Sequence, residues 1–364
     1  MSAPASDGPG ATPGTGPGTN GSDPARTPLA TPLTRAAGVE LPLTLGAMYP
    51  CGNPELVAAV SAAGGLGIVQ PISFSYVHAG SLAAGLARVR ELTDRPIGFN
   101  AIVEAGSQVY LQRMYRWVDE ALEAGVRFFV TALGNPREVC ARVHAAGGTV
   151  WHDVTERRFA EKAADNGVDG LIAVNERAGG HAGTRSAAAL FDELAPLGLP
   201  VVGAGGVATP EDMLALLDLG YAGVQLGTRF IATPECAVHE GYRRALVEAD
   251  EEDIVRTKRL SGVDVAIVRP EGWPPGAAAR DVPGEPGRLL SWALRHPRLK
   301  GKARAFLSLR AARALKRSSR EGLGYGDVWQ AGKSVAGIHG IEPAGAIVDR
   351  FRAALEARAA GPGT

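Results

Sequence analysis

Short apolar runs alternate with longer stretches of helical period between residues 41 and 249. Apolar runs that lack polar alternation predict strands of a parallel sheet, because such a sheet is covered on both faces. Eight runs of this kind occur along the chain. They are Leu43–Met48, Leu66–Gln70, Ile97–Ile102, Arg127–Leu133, Thr149–Val154, Gly170–Asn175, Val201–Gly205 and Gly223–Gly227.

The stretches between the runs predict helices, because their apolar residues recur at spacings of three and four. Capping residues such as Asn53 and Thr209 begin several of them, and glycines such as Gly64 and Gly125 end several. The predicted helices are Pro54–Ala63, Ser81–Leu92, Gln108–Ala124, Pro136–Ala146, Thr155–Asn166, Ser186–Leu197 and Pro210–Leu219, and Pro234–Glu248 would close the series.

Eight βα units within roughly 200 residues predict a (β/α)8 TIM barrel, an α/β fold, over residues 39–249. A doubly wound open sheet is the main alternative, and it would place a G-x-G-x-x-G phosphate loop after its first strand. The residues from Tyr49 to Asn53 follow that strand without this motif, whereas the largest glycine clusters follow strands six, seven and eight. The barrel is therefore the favoured fold.

The two ends of the chain do not follow this alternation. Residues 1–38 predict a disordered tail, because Gly and Pro make up 11 of the first 26 residues. The tail also lacks the apolar segment of a secretory signal. Residues 250–364 predict a partly helical C-terminal segment that packs on one end of the barrel. It contains a Pro- and Gly-rich loop at Pro270–Gly287 and a final helix near Ala344–Ala357.

Composition excludes several classes of protein. Lys and Arg total 38 and Asp and Glu total 38 in 364 residues, so the formal net charge is zero, which argues against nucleic-acid binding. No apolar run reaches 18 residues, so no membrane-spanning helix is expected. Three cysteines suit a reducing environment, so we expect a cytoplasmic protein without nucleic acid or membrane as a partner. Homodimerisation is left open.

The charge is unevenly distributed along the chain. Ten Lys or Arg residues and no acidic residue lie between positions 295 and 320, whereas Glu248–Asp253 is an acidic run. A solvated helix face is the simplest interpretation of the basic stretch. The alternative is a patch for an anionic partner or for the pyrophosphate of a cofactor.

Two glycine loops lie where a barrel binds phosphate, after strands seven and eight. The segment Gly203-Ala204-Gly205-Gly206-Val207 follows strand seven, and Gly227-Thr228-Arg229 follows strand eight. Glycine lets backbone N–H groups approach a phosphate closely. Two ordinary tight turns would have the same composition. The position of both glycine loops after strands seven and eight nevertheless favours a phosphate site at Gly205, Gly206, Gly227 and Thr228.

A histidine among glycines follows strand six, in the segment Ala178-Gly179-Gly180-His181-Ala182-Gly183. A core histidine would normally lie in an apolar period, whereas these neighbours offer no side chains to pack on it. Gly179 and Gly180 would let a flat ring system lie against the backbone, with His181 facing it. A neutral imidazole can remove a proton from carbon or hydrogen-bond an anionic substrate, so His181 is the candidate catalytic residue.

Other polar and sulfur-containing residues end further strands. Asn100 ends strand three and could bond the edge of a heterocycle, although a strand-end turn residue explains it equally well. Ala47 and Met48 end strand one and could line a ring face. His152 and Asp153 are neighbours on strand five, so only one of them can face the barrel axis. The sequence carries no zinc-ligand spacing, and we expect no metal site.

These residues resemble the nitronate monooxygenase family, formerly called 2-nitropropane dioxygenases. The Gly179-Gly180-His181 loop carries the resemblance. The similarity extends from about residue 41 to 262 and returns at residues 331–337. Further similar segments are Gly46-Ala47-Met48, Ala62-Ala63-Gly64-Gly65-Leu66-Gly67, Phe99-Asn100, Ala204-Gly205-Gly206 and Gln225-Leu226-Gly227-Thr228-Arg229-Phe230.

The resemblance implies an FMN-dependent barrel enzyme that oxidises an alkyl nitronate with O2 to a carbonyl compound and nitrite. It places the FMN phosphate on the loops after strands seven and eight. It places Gly179 and Gly180 beside the flavin and Asn100 at its ring edge or ribityl chain. His181 would then bind the nitronate, or deprotonate a neutral nitroalkane.

One position departs from the family pattern. Well-defined nitronate monooxygenases carry a second active-site histidine at the end of strand four, where this chain has Ala132. The following Gly134-Asn135-Pro136 and the segment from Glu235 to Tyr242 are similar to FMN-dependent enoyl-acyl-carrier-protein reductases. NAD(P)H-dependent reduction of an enoyl thioester or quinone is therefore the second hypothesis. A flavin-binding protein without turnover is the third, and the intact His181 loop argues against it.

Overall fold

A computed structural model describes residues 29–104, 106–258, 264–270, 292, 296, 300–322 and 328–361. Eight parallel strands in these ranges form a barrel in the order β1-β8-β7-β6-β5-β4-β3-β2, and a bridge between Thr44 and Leu66 closes it. The strands are β1 (Leu43–Leu45), β2 (Gly67–Val69), β3 (Ile97–Ile102), β4 (Phe128–Ala132), β5 (Thr149–Val154), β6 (Gly170–Val174), β7 (Val201–Ala204) and β8 (Gly223–Leu226). The predicted barrel is confirmed.

Helices cover the outside of the barrel, and the caps expected at Asn53 and Thr209 lie at the N-termini of two of them. Thr209, for example, forms a reciprocal capping box with Asp212. The helices are α1 (Pro32–Ala37), α2 (Pro54–Ala62), α3 (Leu82–Leu92), α4 (Gln108–Glu123), α5 (Arg137–Ala145), α6 (Arg157–Ala164), α7 (Ala187–Leu194), α8 (Pro210–Asp218), α9 (Glu240–Glu248), α10 (Lys300–Glu321) and α11 (Ala344–Ala360). Shorter helical turns lie at Pro71–Ser73, Phe74–His78 and Thr228–Ile231.

Helix α1 lies within the range 1–38 that the sequence predicted to be disordered, so that range extends too far. Thr31 caps the helix, and Leu33 is fully buried among side chains of the barrel interior. A Cβ on Gly223, the first residue of β8, would lie 2.5 Å from Leu33, so α1 covers the amino-terminal end of the barrel. Burial of Leu33 stabilises α1, which is too short to be stable as an isolated helix. Residues 1–28 lie outside the described ranges.

The eighth outer helix is α11, and the prediction that Pro234–Glu248 closes the series is wrong. Helix α11 packs against both α2 and α8, which is the position of the helix that follows β8 in a barrel. Its apolar face is fully buried at Ile347, Val348 and Phe351. Periodicity alone does not show which helix occupies this position, because α9 and α11 are both amphipathic. The barrel therefore draws on both ends of the chain.

Among the described C-terminal residues, a hairpin and a short segment cover part of the carboxyl end of the barrel. Strands β9 (Ile254–Thr257) and β10 (Val265–Val268) pair antiparallel as a hairpin. Residues 331–333 lie between the hairpin and the loops that follow β6 and β8. Of the predicted loop Pro270–Gly287, only Pro270 lies within the described ranges.

Candidate functional site

Strand alternation decides which polar side chains face the interior of the barrel. Apolar side chains such as Val130, Trp151 and Ile172 form an interior cluster, while their strand neighbours pack against the helices outside. Polar residues near the carboxyl ends of three strands also face the interior. They are Asn100 on β3, Asp153 on β5 and Gln225 on β8.

His152 and Asp153 point to opposite sides of β5, as expected for neighbours on a strand. The Nδ1 atom of His152 lies 2.8 Å from Thr131 Oγ1 on the outer side, and burial lowers the pKa of His152 to about 4. Asp153 faces the interior, where burial raises its pKa to about 7. Its Oδ1 atom is buried, and no described residue hydrogen-bonds it. Asp153, not His152, therefore belongs to the interior of the barrel.

The His181 side chain stands at the mouth of the barrel, and no described residue hydrogen-bonds its ring. The ring is exposed, yet the protein around its base excludes enough water to lower the pKa of His181 below its ordinary value of 6.5. His181 is consequently neutral near pH 7. A neutral imidazole offers one N–H donor and one basic nitrogen to a substrate in the mouth.

The β9–β10 hairpin fixes the loop that carries His181. The Ala266 amide donates to the Gly180 carbonyl oxygen at 2.8 Å. The Arg256 guanidinium donates to the carbonyl oxygens of Ala182 at 2.9 Å and Gly183 at 2.8 Å. These bonds flank His181 on both sides, so the loop is held although its glycines provide little packing of their own.

Gly179 contacts the backbone of a distant segment. A Cβ on Gly179 would lie 2.9 Å from the Gly332 nitrogen, and a Cβ on Gly332 would lie 2.5 Å from the Gly179 nitrogen. The Gly332 amide also donates to Thr228 Oγ1 at 2.9 Å. Both glycines therefore permit main-chain contact between the loops after β6 and β8 and the C-terminal segment.

The loops after β7 and β8 carry backbone N–H groups without internal partners. Gly205 and Gly206 have φ values of 116° and 80°, which favour glycine, and a Cβ on Gly206 would lie 2.5 Å from Arg177 Nε. In the described part of the chain, no acceptor pairs with the amides of Gly205, Gly206, Gly227 or Thr228. Unpaired amides in adjacent loops are suited to bind phosphate oxygens.

Met48 and Gly227 meet across the neighbouring strands β1 and β8. A Cβ on Gly227 would lie 3.4 Å from Met48 Sδ and would contact nothing else within 4 Å except Met48 Cγ. Ala47 is half-buried beside the interior cluster. The ten residues singled out from the sequence all lie near the carboxyl ends of the strands, with Asn100 on β3 and the other nine in the segments that follow β1, β6, β7 and β8. Ala47 and Met48, which the sequence predicted at the end of strand one, lie beyond β1, which ends at Leu45.

Three contributors were not singled out from the sequence as site residues. Gln225 Oε1 is buried without a hydrogen-bond partner among the described residues, as is Asp153 Oδ1. Arg256 holds the His181 loop from outside the barrel. Gln225 and Asp153 could have been found in the sequence, because each is a polar residue within an apolar strand. No local pattern distinguishes Arg256. The two orphaned acceptors suit the N–H edge of a heterocycle, and the free amides suit a phosphate.

No group of three His, Cys, Asp or Glu side chains that could hold a metal ion occurs in the described residues. Across the part of the chain that the structure describes, every helix is too short or too polar to span a lipid bilayer.

Several known proteins are similar to this chain in sequence or in structure. The family model described as nitronate monooxygenase matches residues 30–269. The (3aS,4S,5R,7aS)-5-hydroxy-7a-methyl-1-oxo-octahydro-1H-indene-4-carboxyl-CoA dehydrogenase of Mycobacterium tuberculosis is 32% identical over 246 residues, which cover 66% of either chain. A nitronate monooxygenase of Pseudomonas aeruginosa is 31% identical over 258 residues, which cover 58% of this chain and 72% of the relative. FabK from Thermotoga maritima has a similar structure, with a TM-score of 0.71 and 27% identity over 90% of this chain and 96% of that one.

Proposed function

The chain belongs to the nitronate monooxygenase family and is a flavin-dependent oxidoreductase, and on that premise we propose that it oxidises alkyl nitronates with FMN and O2. The products would be a carbonyl compound and nitrite. The observation that carries this proposal is the position of neutral His181 at the mouth, beside two loops whose amides are free. An anion-binding loop pair suits the phosphate of a flavin, and an adjacent neutral imidazole offers a hydrogen-bond donor to an anionic nitronate and a base to a neutral nitroalkane.

Different residues would hold the phosphate, the ring faces and the ring edge or ribityl chain of the cofactor. The amides of Gly205, Gly206, Gly227 and Thr228 would bind the FMN phosphate. Gly179 and Gly180, with Ala47 and Met48, would line the faces of the ring. Asn100 would bond the ring edge or the ribityl chain. The buried acceptors on Gln225 and Asp153 support this assignment, because a bound heterocycle would supply donors that the described residues lack.

Bound FMN would supply the electron-accepting chemistry that no side chain of the site provides. His181 would donate a hydrogen bond from its N–H to the nitronate oxygens and so orient the anion. With a neutral nitroalkane, the basic ring nitrogen of His181 would instead remove the proton on the carbon that bears the nitro group. The lowered pKa of His181 keeps that nitrogen unprotonated near pH 7.

Anaerobic mixing of the holoenzyme tests the proposed reaction. An alkyl nitronate should bleach the flavin absorbance without O2, and NAD(P)H alone should not. Acid-denatured protein should release FMN, which chromatography distinguishes from FAD. A preparation that never takes up FMN, or a flavin that NAD(P)H reduces rapidly and nitronate does not, contradicts the proposal.

A second candidate function is redox chemistry on a thioester. Ala132 is a half-buried residue at the end of β4, so the described site offers no second imidazole for a nitronate at that position. The Mycobacterium tuberculosis relative is named for a carboxyl-CoA substrate. NAD(P)H-dependent reduction of an enoyl thioester would use the same flavin site. In that case NAD(P)H should rapidly bleach the flavin absorbance under anaerobic conditions.

A further inference from the structure

Asp153 is an acid on the inner face of the barrel without a partner of opposite charge. Trp151, two residues earlier on β5, belongs to the interior cluster, so strand alternation turns Asp153 to the same side. Its Oδ1 atom is enclosed and accepts no hydrogen bond from a described residue. A carboxylate in such a place is unfavourable, because neither water nor a cation compensates the charge.

The elements packed against β5 bring no charge to this side chain. Inner residues of the neighbouring strands β4 and β6 are apolar. They are Phe128, Val130, Ile172 and Val174. On the outer side, His152 bonds Thr131, and the buried residues of helices α5 and α6 are uncharged. His181 is the titratable group at the mouth. Burial alone raises the pKa of Asp153 to about 7, so no described charged group acts on it appreciably.

The Asp153 carboxyl group borders the open mouth of the barrel. Asp153 and Gln225 are each only partly buried, and each is the next-to-last residue of its strand. Strand β4 ends beside Asp153 at Ala132, whose methyl group is too small to cover a neighbouring carboxyl group. A ring that is held at the mouth by Asn100 and Gln225 would therefore cover Asp153 and exclude the remaining water from it.

We propose that Asp153 takes up a proton when a flavin bound at the mouth is reduced. The inference rests on the proposed binding of FMN there. A reductant supplies two electrons and the solvent supplies two protons, of which one goes to the ring and the other to the Asp153 carboxylate. Without the second proton, the ring and the carboxylate would each carry a negative charge. Their repulsion would be strong, because the enclosed interior screens charges poorly.

The proposal predicts a defined pH range for this proton uptake. Below the pKa of Asp153 in the oxidised holoenzyme, the carboxyl group is protonated in both redox states and reduction adds no proton to it. Above that pKa, Asp153 is ionised before reduction and protonated after it. The pKa is about 7 before a ring covers the side chain, and further loss of water raises it, so the range begins at or above about pH 7.

Redox titration of the FMN-loaded full chain tests the proposal without any substrate. Dithionite is the reductant, a reference dye reports the potential, and the pH is varied between 6 and 9. Above pH 7, the midpoint potential of the native protein should fall by about 30 mV more per pH unit than that of Asp153→Asn. One extra proton per two electrons changes the reduction equilibrium tenfold per pH unit, which corresponds to this value. At pH 6 the two slopes should be equal.

Proton uptake provides a second measurement. In weakly buffered solution with an indicator dye, the native protein at pH 8 should take up about one proton more per flavin reduced than Asp153→Asn does. Asp153→Glu keeps a carboxyl group and should retain the extra proton. His152→Asn removes a titratable group from the opposite face of the same strand, and it should behave as the native protein does. Flavin content and melting temperature verify that each variant folds.

Equal slopes and equal proton uptake in the native protein and Asp153→Asn would overturn the inference. Loss of the extra proton in His152→Asn would also overturn it, since the effect would then not depend on the inner face. If nitronate bleaches the flavin and the slopes are equal, only this inference fails. If the slopes differ and nitronate does not react, only nitronate oxidation fails. A chain that never takes up FMN would refute both.

Discussion

The Arg256 guanidinium donates to the Gly183 carbonyl oxygen at 2.8 Å and so links the C-terminal hairpin to the loop that carries His181. A second bond from the same guanidinium to Ala182 makes the contact a fork. The candidate catalytic residue therefore comes from the barrel, while the group that fixes its loop comes from outside it.

Arg256→Ala should lower kcat by about 10- to 100-fold with a smaller change in KM, because it frees the His181 loop without removing a group that binds substrate. Steady-state kinetics at matched flavin content measure this split. Arg256→Lys should recover only part of kcat, because an ammonium cannot donate to both carbonyls in one plane. Arg244→Ala, which removes an exposed arginine on α9 that pairs with Glu240, is the matched control. Equal losses in both variants would contradict a positioning role.

His181→Ala should retain FMN and lose about 100-fold or more in kcat/KM, because it removes a hydrogen-bond donor and base from the mouth. The pKa of His181 is lowered, so with a neutral nitroalkane as substrate the acid limb of the kcat/KM profile of the native enzyme should lie below pH 6.5. That limb should be absent in the variant. An unchanged kcat/KM, or a variant that loses its flavin, would reject the assigned role.

Gly332→Ala should destabilise the protein by about 1–3 kcal/mol and weaken FMN binding, because the new methyl group would collide with backbone. A Cβ there would lie 2.5 Å from the Gly179 nitrogen and 2.7 Å from the Arg177 carbonyl oxygen, neither of which can rotate away. Denaturant unfolding and flavin titration measure the two effects.

Gly345→Ala is the matched control for Gly332→Ala. It lies in α11, and a Cβ there would contact nothing within 4 Å. Alanine should stabilise that helix by about 0.5–1 kcal/mol. The same loss of stability in both variants would show that the contact between Gly332 and Gly179 is not what makes glycine necessary.

His152 and Asp153 should give the apoprotein opposite pH dependences of stability. Folding lowers the pKa of His152 from 6.5 to about 4, so the unfolded chain binds more protons and stability rises as the pH rises through this range. Folding raises the pKa of Asp153 from 3.8 to about 7, so the folded chain binds more protons and stability falls as the pH rises. The two slopes largely cancel between pH 4 and 6.5 in the native protein.

Single substitutions should expose each slope. Asp153→Asn should leave a stability that increases by about 3 kcal/mol from pH 4 to 6.5, and His152→Asn should leave one that decreases over the same range. Guanidinium unfolding at half-unit pH intervals measures both. Two variants with the same sign of slope would contradict the burial of both side chains in the folded apoprotein.

The strands were predictable because each is an apolar run between a helix cap and a turn. The predicted bounds of Ile97–Ile102 and Thr149–Val154 are those of β3 and β5. The same logic missed α1, and it predicted the helix near Ala344–Ala357 without its place in the outer ring of the barrel. Leu33 and Phe351 are buried by contacts with residues that lie far along the chain. Such contacts cannot be predicted from local periodicity.

The sequence by itself determined the barrel, its strand order and the loops from which the candidate site is built, because spacing and glycine positions are local properties. It also determined that only one of His152 and Asp153 faces the interior. Tertiary structure decided which one, placed Gly332 against Gly179, and brought Arg256 to the His181 loop. It also paired Lys316 and Arg320 of α10 with the carbonyl oxygens of Tyr76 and Val77, which lie 240 and 243 residues earlier in the chain. These relationships depend on how distant segments pack, which is governed by burial and backbone clearance in three dimensions.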